Sequence, residues 1–376
     1  MKWVLAPDSF KGSLPAALVA NAMAEGIARA DEGAEFRFLP MADGGEGTLD
    51  AIHAAIGGTW RQARVSDAAG QPCEAACLLA GSGHAVIEVA RVVGLAATDG
   101  TDVMRRSSRG VGELILRCLD EGATRVSVAL GGSGTNDGGA GCLVGLGARL
   151  LGKDGDILDG SPASLAVLDH VDLSGVDPRL ARVRLEIWSD VDNPLTGEAG
   201  ATAVFGPQKG VAPEALGPLD GVIRRFADEL DRQWGRAVSG LPGAGAAGGL
   251  GYVLQGLGAA RRAGAEEVAR LAGLGAALTW ADRVLTGEGR SDAQTLRGKV
   301  PGYVAAQAAA AGVPVTLLSG SLDSAALASL SPRFQGCFSL CVRPMSLAEA
   351  MRDAPALLAD SAEQIARLAL PAQAGS

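Results

Sequence analysis

Residues 125–151 read RVSVALGGSGTNDGGAGCLVGLGARLL. A short apolar run, Val126 to Leu130, is followed by nine residues of which five are glycine, and apolar residues then recur with helical spacing from Cys142. An apolar run that breaks at glycine and resumes with a helical period predicts a strand, a glycine-rich turn and a helix. We therefore expect a βα unit with an open turn at 131–139.

The turn at 131–139 has the composition of an anion-binding site. Glycine has no Cβ atom to keep an anion away from backbone N–H groups, and it adopts the positive φ angles that form a concave nest. The helix that follows would direct its free N–H groups and the positive end of its dipole to the same point. The alternative is a tight turn in which Asn136 or Asp137 caps the helix. The spacing fits neither GxGxxG nor GxxxxGK[ST], so it predicts neither a dinucleotide fold nor a P-loop.

Composition sets the broad class of the protein. The chain has 376 residues, of which 48% are hydrophobic and 20% charged, and this length predicts two domains. The formal charge of −9 without a basic run argues against nucleic acid or a membrane as a partner. An anionic substrate would need local positive charge, for which the candidates are Lys11, Lys209, Arg290 and Lys299.

The chain shows no targeting signal. The start, MKWVLAPDSF, has no long apolar segment, and the uncharged stretches 239–260 and 302–322 are interrupted by glycine or proline. Six cysteines without an export signal predict free thiols, and three scattered histidines argue against Ser-His-Asp chemistry. The sequence therefore predicts a cytoplasmic protein.

The chain begins with a predicted βα unit. Lys2 to Ala6 is an apolar strand, PDSFKGS at 7–13 is a turn, and an apolar face with helical spacing follows. Ser9, Lys11 and Ser13 would lie at the carboxyl end of the strand, where open α/β sheets bind their ligands.

A second predicted unit follows the first. Phe36 to Met41 indicates a strand, ADGGEGT at 42–48 a turn, and Thr48 to Ile56 a helix. Asp43 and Glu46 would sit at the amino end of this helix, where acids are stabilising for structural reasons alone. The glycines between them also favour a ligand, and we expect Asp43 or Glu46 to help hold Mg²⁺, directly or through water.

The middle of the chain predicts antiparallel strands. Residues 73–90 indicate two strands joined by a Gly-Ser-Gly turn, and residues 150–160 indicate a hairpin. The arginines Arg105, Arg106 and Arg109 precede or cap an amphipathic helix and are predicted to lie on the surface, with phosphate contact as the alternative.

Two acids follow the predicted strand Leu185 to Trp188. Asp190 and Asp192 are two residues apart, so their carboxylates would share one face if the strand continues. Such a pair could supply a base and a metal ligand for phosphoryl transfer, whereas the alternative is an Asx turn at Asp192. ATAVF at 201–205 is predicted as a strand, and Lys209 beyond it would meet negative charge.

Alternation of strands and helices returns towards the carboxyl end. Residues 258–278 predict a helix, Arg283 to Thr286 a strand with Glu288 and Arg290 just beyond it, and residues 347–368 a closing helix.

The predicted fold class is α/β with two domains. One is a doubly wound, flavodoxin-like (Rossmann-like) parallel sheet built from both chain ends, residues 1–70 and 280–376. The other is an inserted mixed α/β domain, residues 71–279, which carries the glycine-rich loop. A cleft between domains is a favoured place for a ligand, and we expect the active site there.

Six segments together resemble one known family. They are PDSFKGS (7–13), ADGGEGT (42–48), GGSGTNDGGAG (131–141), DVDNPLTG (190–197), FGPQKG (205–210) and GEGRSDAQT (287–295). In this order they resemble the type-1 glycerate kinases over most of the chain. The resemblance implies a two-domain fold and the ATP-dependent phosphorylation of D-glycerate, commonly to 2-phosphoglycerate, with Mg²⁺. The alternatives are a kinase that produces 3-phosphoglycerate, or a non-catalytic module that senses sugar acids on the same scaffold.

The resemblance and the chemistry of phosphoryl transfer together give each segment an expected role. Either Lys11 or Lys209 would neutralise the transferred group. The nucleotide phosphates are expected on the loop residues Gly131, Gly132, Ser133, Gly134, Thr135, Asn136, Asp137, Gly138 and Gly139.

The acids divide into a base and metal ligands. Asp190 or Asp192 is expected to be the base that acts on the glycerate hydroxyl. Asp43, Glu46 or Glu288 is expected to bind Mg²⁺.

The glycerate carboxylate is expected on Arg290, with Ser9 or Ser13. The chain departs from the usual family pattern at Gly134, where alanine is usual, and at Ser291, where a larger apolar residue is frequent. Neither departure removes a charge or a hydrogen-bond donor. A homodimer is compatible with the sequence, which does not fix the oligomeric state.

Overall fold

The computed structural model describes residues 1–81, 83–98 and 100–370. Ser82, at the centre of the predicted Gly-Ser-Gly turn, and residues 371–376 of the predicted first domain lie outside the described residues. The described strands are Lys2–Leu5 (β1), Glu35–Phe38 (β2), Thr59–Ser66 (β3), Pro72–Leu79 (β4), His84–Glu88 (β5), Arg125–Ala129 (β6), Arg149–Gly152 (β7), Ile157–Leu158 (β8), Leu168–Asp172 (β9), Arg184–Trp188 (β10), Ala260–Arg262 (β11), Arg283–Thr286 (β12), Arg290–Ser291 (β13), Val315–Ser319 (β14), Ser321–Leu322 (β15) and Gly336–Ser339 (β16).

The α-helices alternate with these strands at both chain ends. They are Ala16–Ala30 (α1), Thr48–Ile56 (α2), Ala90–Val93 (α3), Arg109–Asp120 (α4), Ala140–Gly145 (α5), Pro162–Leu165 (α6), Ala201–Phe205 (α7), Leu216–Trp234 (α8), Leu250–Gly256 (α9), Gly264–Ala272 (α10), Leu274–Leu278 (α11), Val300–Ala310 (α12), Leu327–Leu330 (α13), Leu347–Arg352 (α14) and Ala354–Ala369 (α15). Within the described ranges, none of them is long and apolar enough to cross a membrane.

The chain folds into two compact units. The first comprises Met1–Asp43, Asp50–Gly57 and Ala263–Ser376, and the second comprises Gly44–Leu49 and Gly58–Arg262. The sequence places the boundaries near residues 70 and 280 instead. The positions differ because β3 pairs along its whole length with β4, and β11 pairs with β10, so both strands join the sheet of the second unit.

The first unit is built on a parallel sheet. Its described strands have the order β2-β1-β12-β14-β16, which is 2-1-3-4-5 when they are numbered along the unit, as in a flavodoxin-like sheet. This sheet, built from both chain ends, confirms the predicted fold class. The strand order reverses between β1 and β12, and open α/β sheets bind ligands beyond the carboxyl ends of the strands at such a point.

Helices α1 and α15 cover one face of this parallel sheet. Their apolar sides bury a cluster formed with the strands, which includes Trp3, Leu5, Met23, Ile27, Leu285, Leu318, Leu358 and Ile365. This packing anchors the carboxyl ends of β1 and β12, from which the polar residues of the first unit extend.

The second unit contains a mixed sheet. The described strands have the order β11-β10-β6-β5-β4-β3, with antiparallel pairing at β3–β4 and β4–β5 and parallel pairing elsewhere. Strands β7, β8 and β9 form a separate antiparallel sheet, so the strands of both predicted hairpins are confirmed. The mixed sheet packs against α4 and α9 through a buried cluster that includes Leu114, Val126, Val128, Ile187 and Leu250.

Three local predictions are wrong. ATAVF at 201–205 is helix α7, because packing against α8 overrides the strand preference of its valine and phenylalanine. The predicted helix at 258–278 begins as β11 and continues as α10 and α11, which are separated by Gly273. The predicted closing helix is divided at Asp353, because Pro355 starts the first turn of α15.

Candidate active site

The predicted strand, glycine-rich turn and helix are confirmed as β6, a loop and α5. Gly139 directly precedes α5 with a φ of 79°, and Gly248 in a neighbouring segment has a φ of 67°. A Cβ atom on Gly248 would lie 2.1 Å from the carbonyl oxygen of Thr135, and one on Gly139 would lie 2.6 Å from that of Gly249. Glycine at these positions lets two chain segments pack in direct contact, which is a structural role that needs no ligand.

The Asp137 carboxylate occupies the amino end of α5. Its Oδ1 accepts a hydrogen bond from Gly139 N (3.0 Å), and its Oδ2 accepts from Gly141 N (3.2 Å) and from both Ser108 N and Ser108 Oγ (2.7 Å each). Cys142 N donates to Ser108 Oγ (2.9 Å). Burial raises the pKa of Asp137, and the N–H donors oppose that rise. The N–H groups of Gly139 and Gly141 at this helix end are therefore satisfied by Asp137 and are not free, in contrast to the expectation.

Several other N–H groups of the loop have no partner. No described residue accepts a hydrogen bond from the backbone N–H of Gly132, Ser133, Thr135 or Asn136. Thr135 Oγ1 and Asn136 Oδ1 are buried and likewise have no partner in the described part of the chain. Buried polar atoms are nearly always paired, so this group of atoms points to water or a ligand. Gly132 is exposed, whereas residues 133–136 are buried, so Gly132 is the part of this loop that solvent contacts.

Lys209 is buried against the same loop. It is 4% exposed, and its Nζ donates to Ser133 Oγ (3.0 Å) and to the carbonyl oxygen of Thr135 (2.8 Å). Burial lowers the pKa of Lys209 to about 8. Among the described residues no carboxylate forms an ion pair with this ammonium, although the charge of Asp137 opposes the fall of its pKa.

Arg106 is a second buried cation, and its predicted surface position is wrong. It is 6% exposed, and its guanidinium donates to the carbonyl oxygens of Gly134 (3.0 Å), Lys209 (2.8 Å) and Thr101 (2.8 Å). Burial lowers the pKa of Arg106 despite the attraction of Asp102. Within the described chain it has no carboxylate ion pair. Two buried cations without a carboxylate ion pair are costly, and the attraction of Asp102 for Arg106 and of Asp137 for Lys209 offsets part of that cost. This region therefore suits an anion.

The ADGGEGT segment meets the glycine-rich loop within the second unit. Gly131 N donates to the carbonyl oxygen of Gly44 (2.9 Å). The buried Glu88 carboxylate accepts hydrogen bonds from Gly47 N (3.1 Å) and Leu49 N (3.0 Å) at the start of α2. Glu88 holds this segment in place and was not predicted. A single acid at the end of the apolar run AVIE is the sequence signal by which it could be found.

Asp190 and Asp192 lie beyond the end of β10, which stops at Trp188. The Asp192 side chain is 78% exposed and forms an ion pair with Arg261 (2.7 Å). Asp190 is half-buried. The two carboxylates therefore have different surroundings. They do not share one face of a strand, because the strand does not continue to residues 190–192.

Three acids come together at the carboxyl end of the parallel sheet in the first unit. Pairing continues past the strands, with Asp8 N donating to the carbonyl oxygen of Gly287 (2.8 Å). Burial and the neighbouring carboxylates of Asp43 and Glu288 raise the pKa of Asp8 well above its usual value, although Ser9 N donates to Asp8 Oδ1 (2.6 Å). Asp8 was not predicted, but it lies in the turn beyond β1 next to Ser9 and meets the same criterion that selected Ser9.

Glu288 is almost fully buried among hydrogen-bond donors. Its Oε1 accepts from Ser291 Oγ (2.9 Å) and Thr295 Oγ1 (2.6 Å), and its Oε2 pairs with Lys299 Nζ (3.3 Å). Burial raises the pKa of Glu288, and Thr295, Lys299 and Ser291 oppose the rise. Ser291 also shares a hydrogen bond with Ser319 Oγ (2.7 Å), so a serine here provides a polar link that an apolar residue lacks.

The remaining predicted residues lie further out. Lys11 is exposed, and Arg290 is 71% exposed with Asp292 at 3.9 Å. Ser13 Oγ donates its proton to the carbonyl oxygen of Met351 (2.8 Å), so this hydroxyl has no further proton to donate to a ligand. Ser9 is half-buried.

The predicted metal ligands do not form a ready-made cage. No group of three or more His, Cys, Asp or Glu side chains arranged to hold a metal ion occurs at the described positions. Asp43 and Glu288 both lie near Asp8 in the first unit, whereas Glu46 is exposed in the second.

The sequence of the chain matches a known protein family over nearly its whole length. A family model described as the glycerate kinase family matches residues 3–370. The chain belongs to the glycerate kinase family. Glycerate kinases that match it over nearly their whole length include one from Halalkalibacterium halodurans, which is 41% identical over 96% of this chain and 97% of the relative. The resemblance seen in the six segments is thus confirmed, and the chain is an enzyme, a kinase.

Two further relatives add detail about the family. The glycerate 2-kinase of Escherichia coli is 39% identical over 94% of both chains. A crystal structure assigned as glycerate kinase 2 from Salmonella typhimurium LT2 superimposes with a TM-score of 0.85, at 39% identity and over 98% of both chains. The α/β architecture is therefore that of a solved glycerate kinase.

Proposed function

We propose that this glycerate kinase transfers the terminal phosphoryl group of ATP to the 2-hydroxyl of D-glycerate and forms 2-phosphoglycerate. The observation that carries the proposal is the pair of buried cations, Arg106 and Lys209, next to a glycine-rich loop with unpaired N–H groups. Such a region favours the negative charge of phosphates. The name of the Escherichia coli relative, glycerate 2-kinase, supports the 2-hydroxyl as acceptor.

The proposal places the nucleotide phosphates along residues 132–136. The loop offers N–H groups from Gly132 onwards, while Gly138, Gly139 and Asp137 hold the loop rather than the ligand. Lys209 supplies positive charge through the loop, and the exposed Lys11 is the candidate for direct contact with the transferred group.

Asp190 is proposed as the base that accepts the proton of the glycerate hydroxyl. Asp192 is the weaker choice because it is largely exposed and already paired with Arg261. A base of this kind orients the hydroxyl and takes its proton as the new bond to phosphorus forms. The glycerate carboxylate is proposed on Arg290 and Ser9, because the hydroxyl of Ser13 is already used by Met351.

The acids of the first unit fit a magnesium ion. Kinases hold Mg²⁺ by one or two carboxylates together with phosphates and water, so a cage made only of protein is not required. Asp43 and Glu288 face Asp8, and a cation would relieve the repulsion that raises the pKa of Asp8. We propose Asp43 and Glu288 as ligands, with Glu46 through water, and the ion would neutralise phosphate charge.

The chemistry also bears on location and assembly. Use of ATP and six free cysteines are compatible with the cytoplasm, which we propose as the site of action. We also propose that the enzyme forms a homodimer.

The test is an assay of the purified protein with Mg²⁺, ATP and D-glycerate. ADP release should require all three components, and NMR should identify 2-phosphoglycerate as the product. Formation of 3-phosphoglycerate would overturn the proposed acceptor hydroxyl and leave the kinase intact. Absence of ADP release would overturn ATP as the phosphoryl donor.

A further inference from the structure

We propose that Arg106 is a positioning residue of the phosphate site, which acts on the ligand through the carbonyl groups of Gly134 and Lys209 and does not touch it. The inference rests on the proposed function, since it takes the phosphates of ATP as the ligand of the loop. It assigns a role to a residue outside the six segments that carry the family resemblance.

The guanidinium joins three separate chain segments. Nε donates to the carbonyl oxygen of Thr101, and Nη1 donates to those of Gly134 and Lys209. All three acceptors are main-chain atoms, so Arg106 fixes the course of the backbone rather than the rotamer of a side chain. The planar, multidentate shape of the guanidinium suits this use, which an ammonium group would serve less well.

The direction of the loop peptides follows from these contacts. All described peptide bonds are trans, and in a trans peptide the C=O and the N–H point in opposite directions. The Gly134 carbonyl points at Arg106, and the Thr135 carbonyl points at Lys209 Nζ. The N–H groups of Thr135 and Asn136 must therefore point away from the two cations, and neither has a partner among the described residues.

The opposite flank of Gly134 is also fixed. Gly134 N donates to the carbonyl oxygen of Val93 (2.7 Å). A Cβ atom at position 134 would lie 2.6 Å from Thr98 Cγ2 and 3.0 Å from Leu95 Cα, so this chain has no room for alanine without a shift of that segment. Gly134 is thus held between the 93–98 segment and Arg106. Loss of Arg106 would release one side and let the peptide rotate.

The cations also polarise the peptides that they contact. A positive charge on a carbonyl oxygen draws electron density from the amide and strengthens its N–H as a donor, as in a chain of cooperative hydrogen bonds. Arg106 and Lys209 therefore extend their charge to the ligand side of the loop through the backbone. This explains how two buried cations without carboxylate partners serve an anion that they do not contact.

The experiment compares Arg106→Gln and Arg106→Lys with the matched control Arg105→Gln, which changes an exposed arginine next in sequence. ATP affinity is measured by calorimetry, the steady-state constants for ATP and D-glycerate by ADP release, and the melting temperature in parallel. We expect Arg106→Gln to raise the Kd and KM for ATP by about tenfold or more and to leave the KM for D-glycerate within about twofold. Arg106→Lys should fall between Arg106→Gln and the unmodified enzyme, and Arg105→Gln should match the unmodified enzyme.

A second measurement covers the case in which Arg106→Gln folds poorly. Arg106→Ala leaves a cavity of guanidinium shape, and millimolar guanidinium should restore part of its ATP affinity, whereas millimolar sodium chloride should not. An Arg106→Gln enzyme with a lower melting temperature but unchanged ATP affinity would overturn the inference and leave the kinase in place. An unmodified enzyme that binds no ATP would instead overturn the proposed function.

Discussion

The two units of this glycerate kinase differ in the sign of the charged groups that lack an ion pair or crowd a neighbour of the same sign. In the second unit, Arg106 and Lys209 are buried against a loop and are satisfied by carbonyl and hydroxyl oxygens. In the first unit, burial and the neighbouring carboxylates of Asp43 and Glu288 raise the pKa of Asp8. The proposed function divides the work accordingly, because it assigns the phosphates to the second unit and the metal ion to the first.

The largest expected effect concerns Asp137 and tests whether its carboxylate supports the fold or contacts the ligand. Asp137→Asn removes a buried carboxylate that accepts four hydrogen bonds, and it should lower the free energy of unfolding by about 3 kcal/mol. Urea unfolding followed by circular dichroism measures the change. The exposed Asp192→Asn serves as the control and should change stability by less than about 0.5 kcal/mol. An Asp137→Asn protein of normal stability that has lost ATP binding would show that Asp137 contacts the ligand instead.

Lys209→Met tests the role of the buried cations in the second unit. Loss of the ammonium should lower kcat/KM for ATP about 100-fold, which is ~2.7 kcal/mol of transition-state stabilisation. The free energy of unfolding should change by less than about 1 kcal/mol, because the lost donors and the removed cost of burial offset each other. A large loss of stability with unchanged kinetics would mean that Lys209 only supports the fold.

The same lysine predicts a pH dependence. The pKa of Lys209 is lowered to about 8 by burial, and a bound anion favours the ammonium form, so ATP binding must raise that pKa. The Kd for ATP should therefore be constant below about pH 8 and should rise above it, by up to about tenfold per pH unit. Calorimetry between pH 7 and 9 measures this, and Lys209→Met should show no such rise. A flat profile for the unmodified enzyme would contradict the assignment.

Glu288→Gln tests the role of the buried acids in the first unit. The glutamine keeps an oxygen for Ser291 and Thr295 but loses the charge that faces Asp8. We expect kcat to fall about tenfold while the Kd for metal-free ATP stays within about twofold, because the proposed phosphate site belongs to the other unit. Steady-state kinetics and calorimetry separate the two quantities. Weakened binding of metal-free ATP would contradict the proposal that Glu288 acts on the metal ion and not on the phosphates.

The smallest expected effect concerns backbone strain behind the phosphate loop. Ala247 is the only described non-glycine residue with a positive φ (53°), and its neighbour Gly248 contacts the loop at Thr135. Ala247→Gly should raise the free energy of unfolding by about 0.5 kcal/mol, because glycine adopts this conformation without strain. Ala246→Gly, at a buried position with a helical φ, is the control and should lower it by about 1 kcal/mol. Equal losses in both variants would show that no strain is stored there.

The sequence predicts what local patterns determine. Helix Thr48–Ile56 and the strand before the glycine-rich loop are confirmed because their periodicity and flanking glycines are contained in a few residues. The segment 201–205 was mispredicted because contact with α8 outweighs its local preference. Boundaries near 70 and 280 moved because strand pairing between distant residues decides which sheet β3 and β11 join.

The site was predictable to a similar extent. Lys209 was identified by its motif, but its burial and its contact with Thr135 depend on the fold. Arg106 reads as a surface residue because nothing in its neighbourhood shows that carbonyl groups about 30 and 100 residues away along the chain enclose it. Asp137 was a candidate for phosphate binding, and only the contact with Ser108 shows that its carboxylate is already engaged.

A crystal structure of the enzyme with a non-hydrolysable ATP analogue tests the central claim most directly. The account predicts that phosphate oxygens accept hydrogen bonds, at about 2.7–3.2 Å, from N–H groups of residues 132–136, with Arg106 and Lys209 still bound to the carbonyl oxygens of Gly134 and Thr135. Phosphates bound elsewhere, with the N–H groups of 132–136 satisfied by water alone, would contradict it.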